Sequence, residues 1–288
     1  MSVRWQPALS ICAAVILLAA LAGCGGSSDP LHTVRSAAAR TLSQTAQSTL
    51  TLNGARLFGG SPGTIVGRAE FSFPKGLGYQ ALQIPALDQQ PSGTAYLVYL
   101  PTRLWVQPAV KTALPKGNLW ISAPLGNSRS AGSLTPSLAL VLEGLNPQLL
   151  LEEIVGGAVS ASSSGGRVIN HVPFNEYVVS VDLERALAAT RTNGALRLAM
   201  RQELSALRVA QGAGKPLVRI VARVDGTGRL AQLETSLPGS RLGTVQFSLW
   251  KFGSTIPLSL PLASQTVELA SLTRSYGPVQ APWVLTGE

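Results

Sequence analysis

Residues 217–252 constrain the fold most. Apolar and polar side chains alternate over 217–224, 230–237 and 244–252, and Asp225-Gly226 and Pro238-Gly239 punctuate the three runs. Asp-Gly between two alternating runs is a strong hairpin signal, because a two-residue turn needs left-handed backbone that this pair tolerates. The runs therefore predict an antiparallel meander. Gly 29 and Pro 19 in 288 residues point the same way, towards many short strands and not long helices. A chain that is 45% hydrophobic and 13% charged reverses the signature of disorder, and so little charge also argues against a coiled coil.

Upstream, Leu31, Val34, Ala38 and Leu42 recur at helical spacing behind Asp29-Pro30, which predicts a helix over 31–47. Strand-like runs follow at 49–53, 69–73, 94–100, 104–107 and 119–122. Residues 134–155 read as two short helices broken at Asn146-Pro147, with Leu149, Leu150 and Ile154 inward and Glu152 and Glu153 outward. The low-complexity patch 160–166 (SASSSGG) reads as a hairpin tip between strands, which resume at 167–170 and 176–181. Residues 183–190 and 193–208 read as helices, the second with Leu196, Met200, Leu204 and Leu207 as its apolar stripe. Strands and helices in blocks without β-α-β alternation give an α+β fold with an antiparallel sheet.

The N-terminus sets the compartment. Arg4 precedes an apolar run, 8–20, that is short for a membrane span, and Leu21-Ala22-Gly23-Cys24 follows it. These four residues resemble the bacterial lipobox, which implies cleavage before Cys24 and acylation of its thiol. The expected organisation is a signal peptide over 1–23, an acylated end and Gly/Ser tether over 24–30, one domain over 31–272 and a C-terminal tail over 273–288. Cys12 leaves with the signal, so the mature chain keeps one cysteine and forms no internal disulfide. It also keeps 22 basic against 14 acidic residues, a balance suited to an anionic membrane surface outside the cell and not to nucleic acid.

Reactive motifs are few. Gly226-Thr227-Gly228-Arg229-Leu230-Ala231 spells a dinucleotide fingerprint, but a strand follows it instead of the helix that would receive a phosphate. Gly212-Ala213-Gly214-Lys215 runs into Pro216 and lacks the hydroxyl of a P-loop. Ser72-Phe73-Pro74-Lys75 has S-x-x-K spacing with a proline that denies the helical turn. His32 and His171 stand far apart without a carboxylate at useful spacing. The expectation is no catalytic residue, no metal and no cofactor.

Between 146 and 269 the order of elements resembles the LppX/LprG-type lipoproteins of actinobacteria, whose fold is LolA-like. The resemblance rests on a Pro147-initiated helix before two strands, on Tyr177-x-x-x-Val181-Asp182-Leu183 where a strand feeds a helix, and on Asp225-Gly226 opening the last meander. Tyr96 to Val106 and Trp120 match a strand pair and a Trp-containing strand of that family more loosely. It implies a strongly curved antiparallel sheet, a half-open barrel, wrapped around and covered by a few helices. It also implies an apolar pocket for acyl chains of membrane lipids or glycolipids. Candidate wall residues are Phe71, Phe73, Leu97, Tyr99, Trp105, Trp120, Tyr177, Val179, Phe247 and Leu249. Arg197, Arg201 and Arg208 near one helix face are candidates for contact with headgroups or the membrane. The alternative is an envelope interaction or stress-sensing module of the same shape, with a filled core and a protein partner.

Overall fold

A computed structural model describes residues 29–55, 63–86, 92–109, 114, 117–124, 145–190, 194–211, 214–236 and 243–276. Expectations for Cys24, for the first of the two helices across 134–155 and for the Pro238-Gly239 turn lie outside them.

The alternating runs form one open, curved, twelve-stranded sheet among the described residues. The first meander is β1 (Thr45–Ala55), β2 (Gly63–Ser72), β3 (Leu77–Ile84), β4 (Gly93–Leu100), β5 (Arg103–Gln107) and β6 (Trp120–Pro124). The second contains β7 (Ala158–Ile169), β8 (Val172–Asp182), β9 (Leu217–Asp225), β10 (Leu230–Ser236) and β11 (Thr244–Trp250). The spatial order is β12-β6-β5-β4-β3-β2-β1-β11-β10-β9-β8-β7, where β12 is Thr266–Glu268. β1 joins the two meanders by pairing with β11, Leu50 opposite Phe247 and Leu52 opposite Val245. Neighbours run antiparallel except β12, which lies parallel to β6. Period-two alternation places Leu50, Phe71, Leu82, Leu97, Leu104, Ile121, Val179, Ile220, Leu233 and Phe247 on one buried face.

Five α-helices and two single 3-10 turns, Phe73–Lys75 and Ala263–Gln265, complete the described residues. α1 (Pro30–Leu42) is capped by Asp29, whose side chain accepts from Leu31 N at 3.1 Å. Its buried face of Val34, Ala37, Ala38 and Thr41 is small, which allows close approach to its neighbours. α2 (Pro147–Gly157) is capped by Asn146 and α3 (Leu183–Ala189) by Asp182. α4 (Gly194–Gln211) packs on α3 and α2, and α5 (Leu269–Tyr276) packs on β6 and β12. α2 and α3 meet through Gly156 and Gly157. A Cβ on Gly157 would stand 2.5 Å from the Asp182 carbonyl oxygen and 2.8 Å from the Ala186 Cβ. Gly157→Ala is therefore expected to lower stability by about 1–3 kcal/mol. At about 2–4 °C per kcal/mol in a domain of this size, thermal melting resolves the loss. An unchanged midpoint would mean that the helix pair shifts freely.

Several expectations are corrected. The first helix stops at Leu42 and not at Gln47, since β1 begins at Thr45 with small inward residues, Ala46 and Ser48, that conceal the strand period. SASSSGG is no hairpin tip but the middle of β7, an edge strand exposed on both faces, where no apolar alternation is required. The tip is Asn170-His171, both left-handed at φ 50 and 65, as a two-residue hairpin turn demands. Residues 269–276 form α5, so helix continues into the segment read as a tail.

Candidate functional site

The inner sheet face and its helical cover form one candidate site. Phe71 stacks on Phe73 with ring centroids 5.8 Å apart, and Tyr99 tilts against Phe71 at 6.0 Å. Burial pushes the Tyr99 phenol far above its usual range, so it stays protonated and donates to Gln80 Oε1 at 2.9 Å. Phe71, Leu97, Tyr99, Tyr177, Val179, Phe247 and Leu249 lie on this buried face, and Phe73, in the 3-10 turn after β2, is buried beside them. Trp105 and Trp120 do not. They alternate with the buried Leu104, Val106 and Ile121 and so project from the opposite face, where Arg103 stacks 5.8 Å above the Trp105 ring. In β5 one parity is Leu104 and Val106 and the other is Arg103, Trp105 and Gln107, so the polar neighbours of Trp105 are the signal that places it outward.

A wide open chamber would leave its wall accessible to water. Leu97 and Val179 are 0% exposed and Phe247 1%, so protein fills the space against them in this conformation.

The helical cover contains a feature the sequence reading missed. Glu153 of α2, expected outward, is 0% exposed, and Glu203 of α4 is 2% exposed. The two carboxyls face each other between the helices. Burial pushes the Glu203 carboxyl up, and its interaction with the Glu153 carboxyl offsets only part of that rise. A proton shared by the pair removes one of the two charges that this setting disfavours. Helical spacing could have revealed Glu203, because it sits beside Met200, Leu204 and Leu207 on the buried stripe.

A second candidate is the groove of about 510 Å³ between α3 and α4, lined by Glu184, Leu187, Ala188, Arg197, Arg201, Leu204, Ser205 and Arg208. It gathers the three arginines singled out from the sequence, but they are not equivalent. Arg197 donates through Nη1 to the Leu187 carbonyl at 3.0 Å and to the Thr190 carbonyl, holding the end of α3. Arg208 pairs with Glu184 at 2.6 Å. Arg201 is exposed and has no ion-pair partner among the described residues. A third depression, of about 720 Å³, lies across β1–β3 on the outer face under Pro257, Leu258 and Ser259. Its polar side chains already meet one another, as where Gln47 donates to Glu70 at 3.1 Å.

The outer face also carries a buried ion network. The Glu176 carboxylate accepts from Arg223 at 2.7 Å and from the Ser164 hydroxyl at 2.9 Å. Burial alone would raise this carboxyl, but these donors and Arg167 outweigh it and hold it below the usual carboxylate range. Among the described residues no three His, Cys, Asp or Glu cluster to hold a metal, and no helix is long and apolar enough to cross a membrane.

No family model and no curated protein matches the chain. Solved structures do. LprF from Mycobacterium bovis is similar at 11% identity and a TM-score of 0.43, over 81% of this chain and 96% of that one. The lipoprotein LppX from Mycobacterium tuberculosis is similar at 12% identity and a TM-score of 0.39, over 80% of this chain and 97% of the other. A LolA superfamily protein from Nitrosomonas europaea follows at 9% identity and 0.28, over 80% and 95%.

Proposed function

We propose that this is a lipoprotein, anchored to the outer side of the cytoplasmic membrane through acylated Cys24, that binds acyl chains of lipids or glycolipids between its curved sheet and helices. It carries them within the envelope and catalyses no reaction. One observation carries the reading: an apolar sheet face extends from β6 to β8, and β7–β10 are covered by helices and not by a second sheet. Each Å² of acyl chain buried there contributes about 25 cal/mol, so area and not reactive groups gives the affinity. α4 is the element expected to lift, since it rests on α2 and α3 across the buried carboxyl pair. The segments resembling the LppX/LprG-type lipoproteins, and the lipobox-like Leu21-Ala22-Gly23-Cys24, support the same reading.

The closed inner face favours a second reading, an envelope interaction module with a filled core that recognises a protein. Native mass spectrometry separates the two. Every described element lies downstream of Cys24, so a chain beginning at Gly25 keeps them all. Under the carrier reading it purifies with extractable lipid. A ligand-free chain that also takes up no fluorescent acyl probe overturns that reading in favour of the second.

A further inference from the structure

We infer that the end of the molecule formed by α3, α4 and the start of β9 lies against the membrane that holds Cys24, with an anionic phospholipid phosphate seated in the α3–α4 groove. The inference rests on the anchored reading above and adds an orientation and a headgroup to it.

The path of α1 gives the orientation. Arg35 donates to the Ala158 carbonyl, at the end of the sheet where Ala158 faces Val181 and β8 passes into α3. Arg40, further along the helix, donates to the Thr227 carbonyl in the turn at the opposite end. The N-terminus of α1 at Asp29 therefore points towards the α3 end. Cys24 lies five residues before Asp29 in the sequence, a reach of at most about 18 Å even when fully extended. A tether this short favours contact of that end with the bilayer.

Charge agrees with reach. Leu183 N donates to the Pro216 carbonyl and Arg219 pairs across from Ser180, which brings 215–219 beside the start of α3. Exposed Arg185, Arg201, Arg208, Lys215 and Arg219 thus belong to one end of the molecule. The acidic residues there are engaged: Asp182 caps α3 and Glu184 pairs with Arg208. Val209, 86% exposed beside Arg208, adds an apolar side chain suited to the interface. Within the groove Leu187 and Leu204 provide apolar lining, and Arg201 presents a guanidinium whose planar fork matches a phosphate.

The test uses acylated mature protein in phosphatidylcholine vesicles, with and without phosphatidylglycerol, containing a lipid quencher near the headgroups. Acylation blocks Cys24, so a polarity-sensitive dye attaches uniquely at Ser205→Cys in the groove, or at Val168→Cys on the far hairpin. Quenching at 205 is expected to rise several-fold with phosphatidylglycerol and to fall with added salt, while 168 stays unquenched. Arg201→Glu, at an exposed position, is expected to weaken the docked state about fivefold or more, as removal of one surface cation implies. Equal quenching at 205 and 168, or no dependence on phosphatidylglycerol or Arg201, overturns the inference while leaving the anchor intact. Protein that fails to float with neutral vesicles overturns the anchored reading and the inference with it.

Discussion

Cys24→Ala is expected to abolish membrane retention, with the protein either released to the medium or left as an uncleaved precursor. Acyl chains contribute about 0.8 kcal/mol per buried CH₂, and two or more chains on one residue hold a protein at the bilayer almost permanently. The noncovalent contact proposed for the α3 end is far weaker, because surface cations add only about 1 kcal/mol each. Loss of the thiol should therefore dominate. Fractionation together with intact mass of the mature N-terminus reads the result. Unchanged retention with normal processing would mean that Leu21-Ala22-Gly23-Cys24 is not a lipidation signal.

Glu203→Gln is expected to raise stability at neutral pH by about 1–2 kcal/mol, since removing an ionisable member of a buried pair while keeping its shape relieves desolvation. The sign of the pH dependence follows from the raised carboxyl. An unfolded glutamate titrates near about 4.3, whereas the folded pair keeps its proton to higher pH. Above the unfolded value the folded state binds more protons, so stability falls as pH rises, until the folded pair has itself titrated. Below the unfolded value the contribution is fully present. Melting of the wild type across pH should show this decline, and Glu203→Gln should flatten it. A variant less stable than wild type at neutral pH would show that the charged pair stabilises the helix contact. Glu176 contributes with the opposite sign: its lowered pKa stabilises the fold above the unfolded value and is lost as pH falls through the folded one.

Much of the sheet was legible from the sequence. The expected run 217–224 became Leu217–Asp225, where inward Val218, Ile220 and Val224 alternate with Arg219 and Arg223, and 94–100 became Gly93–Leu100, a run rich in aromatic and β-branched residues that favour strand. Helix 183–190 was equally plain, as Asp182 is a strong cap that accepts from Glu184 N and Arg185 N. What escaped has physical causes. β12 has three residues and gains its ladder only from β6, far away in sequence. β7 relies on its partner β8, not on its own Ser and Gly side chains. Glu153 was read as solvated from its charge alone, when its environment is set by Glu203 on another helix. Trp105 and Trp120 were read inward because large aromatics usually are. Here Arg103 takes the outer face instead, bonded to Ser122 and Glu268 and stacked over Trp105.

The central place of β1 has a consequence for biogenesis. Its partner on one side, β11, is encoded some two hundred residues later, with Gln47 opposite Trp250. A chain threaded across a membrane amino end first cannot complete its sheet until nearly all of it has emerged. Until then β1 presents an unmatched ladder. Such long-range closure slows maturation and prolongs vulnerability to proteases and to mispairing. The sheet of such a chain closes only after β11 has been made.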